Sequence, residues 1–263
     1  MFKYNYLYLF PMSVKAQKEL NENEKKYVLD NHKIVSQSEW MSARKDLLIK
    51  EKEFTILRDQ LNQKRRDLPW VQVDKEYVFD GPTGKQTLSE LFDGRSQLIV
   101  YHFMFDPSWN AGCPSCSFWA DNFDGMCIHL NQRDVTMIAV SRAPYNKIDA
   151  YKKRMGWKFK WVSSYNTDFN YDYHISFTSK ELDKNKVFYN YIPQVNPGTE
   201  REGVSIFYKN SSDKIFHTYS TYARGIDILN TTYNYLDLVP KGRDEIGHEF
   251  PQYWVCRHDE YGK

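Results

Sequence analysis

A chain of 263 residues can bury a full core without disulfide or metal staples, which excludes a mini-scaffold. Its 36 basic and 34 acidic residues nearly cancel, to a formal charge of +2, and neither sign gathers in a long block, so no nucleic-acid partner is expected. No apolar run approaches the ~20 residues of a membrane-spanning helix, so no membrane partner is expected either.

The aromatic opening Met1–Phe10 lacks the basic and small-residue pattern of a secretory signal. Residues 1–35 read as a polar, poorly ordered extension rich in Asn and Lys. Ser36 and Glu39 have the spacing of a capping box. From there Trp40, Ala43, Leu47, Phe54, Leu57 and Leu61 form one apolar stripe, so 36–69 read as an amphipathic N-terminal helix ended at Leu68-Pro69. Residues 70–263 are left for the main domain. Tyr77–Phe79, a turn through Gly84, and Thr87–Phe92 predict a hairpin and a short helical turn. Gln97–Phe105 is almost continuously apolar, as a central strand covered on both faces requires, and His102 within it is expected to be a satisfied core histidine. A loop through Asp106, Pro107, Trp109, Asn110 and Gly112 then leads to Cys113-Pro-Ser-Cys116.

Pro114 to about Leu130 reads as one helix with Trp119, Phe123, Met126, Cys127 and Leu130 on its apolar side. Cys127 is expected to be a small core residue. Asp134–Ser141 predicts a second buried strand and Tyr145–Met155 a second helix, closed at Gly156. The polar stretch 163–202, rich in Tyr and Asn, reads as an insertion with Asp168 and Asp172 in a solvated loop. Val204–Tyr208 and Ile215–Tyr219 predict a hairpin, and Gly225–Val239 a last helix. Strand, Cys-pair helix, strand, helix, hairpin, helix is the element order of the thioredoxin fold. The expected class is therefore α/β: a central mixed sheet flanked by helices, with an N-terminal helical extension and an insertion before the final hairpin.

The placement of the cysteine pair supplies the chemistry. Proline suits a first helical position, and the free amides and positive dipole end of the helix favour a thiolate at Cys113. Cys116, one turn on, shares that face at a separation a disulfide can span. Cys113 is thus the expected attacking sulfur, and Cys116 the one that resolves a mixed disulfide. Trp109 and Arg142, beside the ends of the central strands, are candidate substrate-binding residues, Arg142 through its guanidinium. Zinc is the rival, with Cys127/His129 and Cys256/His258 as further ligands. On a single helix Cys127 lies ~16 Å from Cys116, which sets Cys127/His129 aside and leaves Cys256/His258 open on the unplaced tail; redox is the preferred reading, and no metal or other cofactor is expected. With four cysteines, only two of them close together, the expected compartment is the reducing cytoplasm.

The stretch from Glu39 to the C-terminus resembles the thioredoxin-like family catalogued as domain of unknown function 899. The resemblance rests on RRDLPWV (Arg65–Val71), YHFMF (Tyr101–Phe105), GCPSCSFWAD (Gly112–Asp121), VSRAP (Val140–Pro144), RMGW (Arg154–Trp157), FHTYSTYARG (Phe216–Gly225) and YNYLDL (Tyr233–Leu238). It implies a thioredoxin-like fold and a dithiol-disulfide oxidoreductase acting on a thiol or disulfide substrate of unknown identity, with Cys113 and Cys116 as the matching residues. Two departures stand out. Asn110 occupies the position where peroxiredoxins carry threonine, and Glu202-Gly203 precede Val204 where thioredoxins carry a cis-proline. A thiol peroxidase or redox sensor is the second reading, and a non-catalytic interaction module the third.

Overall fold

The computed structural model describes residues 29–262 apart from 185, 196, 197, 247 and 249; the part of the predicted extension before residue 29 lies outside the described residues. The chain divides into two compact units. One contains helix α1 (Gln37–Arg66) and Asp244–Pro251. In α1 the capping box forms: Ser36 N–H donates to Glu39 Oε2 at 3.0 Å and Glu39 N–H to Ser36 Oγ at 3.3 Å, satisfying amides that the first turn leaves free. Lys64, Arg65 and Arg66 occupy its last turn, where the dipole favours cations. Among the described residues no helix is long and apolar enough to cross a membrane.

The other unit spans Trp70–Arg243 and Gln252–Lys263. Its strands are β1 (Val71–Gln72), β2 (Val78–Gly81), β3 (Gly84–Thr87), β4 (Gln97–His102), β5 (Val135–Ser141), β6 (Lys160–Ser163), β9 (Gly203–Lys209) and β10 (Ile215–Tyr222), with a separate hairpin β7 (Val187–Tyr189) and β8 (Ile192–Gln194). The eight-stranded sheet runs β1-β10-β9-β4-β5-β6-β2-β3. β4, β5 and β6 are parallel, while β9 lies antiparallel against β4 and pairs antiparallel with β10. Parallel neighbours need crossovers. After the short helix α2 (Leu88–Leu91), these are made by α3 (Pro114–Ala120) with α4 (Asp124–Asn131), and by α5 (Tyr145–Met155). A sheet with three adjacent parallel strands, the Cys-pair helix after the first of them, and an antiparallel hairpin on the other side is the thioredoxin-like fold.

Residues alternate faces along β4, and the two hydrophobic clusters follow that alternation. Leu98 and Val100 pack with Phe79, Val140, Val162, Phe169 and Phe207. Tyr101 and Phe103 pack instead with Cys116, Trp119, Phe123 and Trp161. The sheet side that receives the Cys-pair helix is therefore fixed by the register of one strand.

Three local expectations change. The helix predicted from Pro114 to Leu130 is two helices, because the Asn122 side-chain amide donates to the carbonyls of Phe118 and Trp119 at 3.0 and 3.2 Å and ends the first ladder. Asp124 opens the second and accepts the amides of Lys158 and Phe159 at 2.9 and 2.7 Å, which ties α4 to the entry of β6. Continuous periodicity hid the break, and with it falls the single-helix distance used against zinc. The last predicted helix is a 3-10 turn, Ala223–Leu229, followed by α8 (Thr231–Leu236). Asn230 interrupts it by accepting the Tyr233 amide at 3.2 Å as a cap. The stretch 163–202 contains α6 (Phe169–Asp172), α7 (Ser179–Asp183) and the β7–β8 hairpin, and β6 ends where it begins.

Candidate active site

Cys113 is the N-cap of α3 with Pro114 following at the first helical position. Its amide is anchored on the Met104 carbonyl at 3.1 Å. One turn on, Ser117 returns both its amide and its hydroxyl to the Cys113 carbonyl, at 3.0 and 2.8 Å, and that hydroxyl also meets the Tyr151 hydroxyl at 2.8 Å. The helix start is thereby held from both sides. Cys113 is half-buried and Cys116 is buried, and both are free thiols.

The two sulfurs are driven in opposite directions. A hydrogen bond from the Cys116 thiol, with help from the Cys116 and Ser115 amides, holds Cys113 below its ordinary value against the opposing effects of burial and of the Glu202 carboxylate. Burial, reinforced by Cys113 and Glu202, pushes Cys116 well up, although the Met104 amide donates to its sulfur at 3.4 Å. An acidic thiol at the helix start beside a protonated partner is the arrangement that makes one sulfur a nucleophile and keeps the other in reserve.

Gly112 precedes the pair under tight constraint. A Cβ there would lie 2.6 Å from Phe103 Cε1 and 2.8 Å from Tyr151 Cε1. The Gly112 carbonyl accepts Nη2 and Nε of Arg257 at 2.7 and 3.1 Å, and Arg257 Nε also reaches the Tyr151 hydroxyl at 3.0 Å. Gly112→Ala is expected to cost about 1–3 kcal/mol by overpacking, with the Cys113 thiol becoming less acidic as the helix start shifts. Urea unfolding and thiol titration would check both. Nothing in the sequence marks Arg257. It lies far from the motif in sequence, and no periodic pattern places the C-terminal tail.

The remaining predicted residues fall as follows. Trp109, like Cys113, is partly buried against the cluster that contains Cys116, and its carbonyl accepts from Lys147 Nζ at 3.1 Å. Arg142 is held by its own chain. Its Nε lies 2.6 Å from Glu200 Oε1, its Nη2 lies 2.9 Å from Asp106 Oδ2, and Nη1 donates to the Tyr171 hydroxyl. Burial pushes Glu200 up to about 7 despite Arg142 and the hydroxyl of Ser176, which donates to it at 2.8 Å. Arg142 also borders a small polar cleft with Pro107, Tyr165, Asn166, Thr167 and Tyr171. Its polar partners among the described residues are these carboxylates and this phenol, and not the thiols.

His102 is only half satisfied: Nε2 meets Ser205 Oγ at 2.7 Å, while Nδ1 is buried without a partner. Burial pushes it down to about 3, so it is a neutral core side chain. Cys127 is half-buried against the first cluster, its thiol raised by burial. Asp168 and Asp172 hold Lys75 at 2.8 and 2.7 Å. In the tail, Cys256 is exposed and His258 Nδ1 lies 2.7 Å from Asp121 Oδ1. Among the described residues no three His, Cys, Asp or Glu side chains gather as metal ligands would.

Comparison with known proteins gives one broad match. The model of a family described as a bacterial protein of unknown function (DUF899) matches residues 29–261. Among curated proteins nothing matches. Similar solved structures include peroxidoxin BcpB from Mycobacterium tuberculosis, at 11% identity and TM-score 0.41, covering 63% of this chain and 95% of that one. A cysteine-to-serine mutant of PrxQ from Xylella fastidiosa is 14% identical with TM-score 0.36, covering 60% and 89%. The bacterioferritin comigratory protein of Xanthomonas campestris is 12% identical with TM-score 0.36, covering 59% and 88%. These likenesses are distant, and the fold assignment rests on the strand order and on the position of the Cys-pair helix.

Proposed function

The chain belongs to the DUF899 family of bacterial proteins of unknown function, and from that premise we propose that it is a dithiol-disulfide oxidoreductase working through Cys113 and Cys116. The observation that carries this reading is the unequal pair itself: a half-buried thiol of lowered pKa at a helix N-cap, beside a buried free thiol of raised pKa one turn on. The Cys113 thiolate attacks one sulfur of a substrate disulfide, and that S–S bond breaks to release the first substrate thiolate. Cys116 then attacks Cys113, the Cys113–Cys116 bond forms, and the second substrate thiolate leaves. The substrate gains two electrons and the protein loses them; with a reduced substrate the same steps run in reverse. Trp109, packed against the cluster that holds Cys116, and Arg142, at the edge of the polar cleft, are proposed to border the bound substrate. A reducing cytoplasm is the compartment in which such a pair would turn over.

Cys113→Ser is expected to reduce turnover of a model disulfide to the uncatalysed level. Cys116→Ser should stop the reaction at a mixed disulfide on Cys113, visible by mass spectrometry. Equal residual turnover in the two variants would overturn the reading. Rapid peroxide consumption that needs Cys113 but survives Cys116→Ser would make the protein a thiol peroxidase instead.

A further inference from the structure

Tyr101 is fully buried in β4, and its ring is held edge-on by Phe123 and Phe103 at centroid distances of 5.1 and 6.2 Å. The alternation along β4 turns it toward the face where α3 packs, and it shares a cluster with Cys116. Its hydroxyl is buried and lacks a hydrogen-bond partner, a condition that is rare and unfavourable for a buried donor. Of the ionisable groups near it, the Cys116 thiol acts on it most, adding to burial, as Glu202 and Cys113 also do, in raising the phenol well above its ordinary value. A neutral thiol is a poor acceptor, whereas a thiolate is a strong one. The Met104 amide already points at the same sulfur from 3.4 Å. One donor therefore reaches, and a second, unpartnered one lies near, an atom that is uncharged at rest and must become charged in order to act.

We propose that the Tyr101 hydroxyl stabilises the Cys116 thiolate in the step where that sulfur attacks the Cys113 mixed disulfide. The inference rests on the dithiol reading of the pair and adds a residue outside the motif. In that step the Cys116 proton passes to the buffer or to the first released thiolate, the Cys113–Cys116 bond forms, and the electron pair of the broken bond leaves with the second substrate sulfur. Tyr101 keeps its proton throughout, because its own ionisation is disfavoured where it lies. The other ionisable groups acting on Cys116 are Cys113 on the same helix and Glu202 from the residue before β9. Both are anionic when charged, so they work against the thiolate and leave Tyr101 and the Met104 amide as the groups that favour it.

The test follows the resolving step directly. In protein carrying Cys127→Ala and Cys256→Ala, dithiobis(nitrobenzoate) loads Cys113 with one nitrothiobenzoate, and release of the second reports attack by Cys116. Tyr101→Phe is expected to move the pH midpoint of that release up by about one unit. At neutral pH release should slow about three- to fourfold, because a tenfold smaller thiolate fraction is partly offset by the greater nucleophilicity of a more basic sulfur. Thermal unfolding should be unchanged or shifted upward, since the substitution removes only an unpartnered hydroxyl; a purely structural role would leave the pH profile where it was. Cys116-dependent release with an unshifted profile in Tyr101→Phe overturns the role of Tyr101 and leaves the dithiol reading standing. Release that persists in Cys116→Ser overturns both.

Discussion

Arg142→Ala is expected to lower the free energy of unfolding by about 3–5 kcal/mol at pH 8, the usual cost of stranding buried charges, and by clearly less at pH 5. The side chain is 15% exposed, and of its two carboxylate partners Asp106 is 12% and Glu200 1% exposed. Removing the guanidinium takes away the cation both carboxylates share, and Asp106 already opposes the ionisation of Glu200. At pH 8 both are charged in the native protein. At pH 5 Glu200 already carries a proton, so the variant loses hydrogen bonds and one ion pair but strands only Asp106. Arg142→Lys restores a charge without the planar fork that serves both carboxylates, and should recover only part of the loss. Urea unfolding at the two pH values decides the matter, and an equal cost at both would show that Glu200 is not the buried acid described above. The effect should extend to the thiols. Asp106 opens the loop that ends at Cys113, and Glu200 lies two residues before Glu202, so Arg142 ties the approach to the pair to the end of the 163–202 stretch.

This role for Arg142 shows where the sequence is informative and where it is silent. Arg142 is legible as the end of β5, beside the site, because an apolar run followed by Ser-Arg-Ala-Pro marks a strand end. The sequence cannot show that the guanidinium is claimed by Asp106 and by a glutamate 58 residues later. The partners come from segments with no shared periodicity. The cysteine pair is legible for the opposite reason: Pro114, the turn before it and the apolar run from Gln97 are all local, and local signals specify the N-cap. The division of the Cys-pair helix was illegible because Phe123, Met126 and Leu130 continue the apolar spacing across the break. Only the Asn122 amide and the Asp124 carboxylate record it, through contacts that propensity does not see. Arg257 and Tyr101 are the same lesson in two forms. One is a tail residue placed only by tertiary structure. The other looks like any strand aromatic until the register of β4 puts it in the cluster that holds Cys116.

Glu200→Gln is expected to gain stability over the parent as pH rises from about 4.5 to about 7, by roughly 3 kcal/mol in total, and to hold that gain above pH 7. Burial raises the Glu200 carboxyl from 4.5 to about 7 in the native state. Between those values the folded protein binds a proton that the unfolded chain has released, so raising the pH favours unfolding. The contribution of Glu200 is fully present below pH 4.5 and is lost by about pH 7. Glutamine matches the protonated acid in shape, accepts from Arg142 and never ionises, so it lacks this slope. The comparison has to be made as a difference between the two proteins. Burial lowers His102 to about 3 and also lowers His217; such groups make stability rise with pH up to about 6.5, and in the parent they mask the Glu200 slope over most of the same range. Those histidines are common to both proteins and cancel in the difference. Asp106 is held below its ordinary 3.8, so it acts only at lower pH. Chemical unfolding of both proteins at half-unit steps from pH 4 to 8 gives the curve directly, and a difference that stays flat across that range would mean that Glu200 ionises near its ordinary value and that Arg142 is paired with two charged carboxylates throughout.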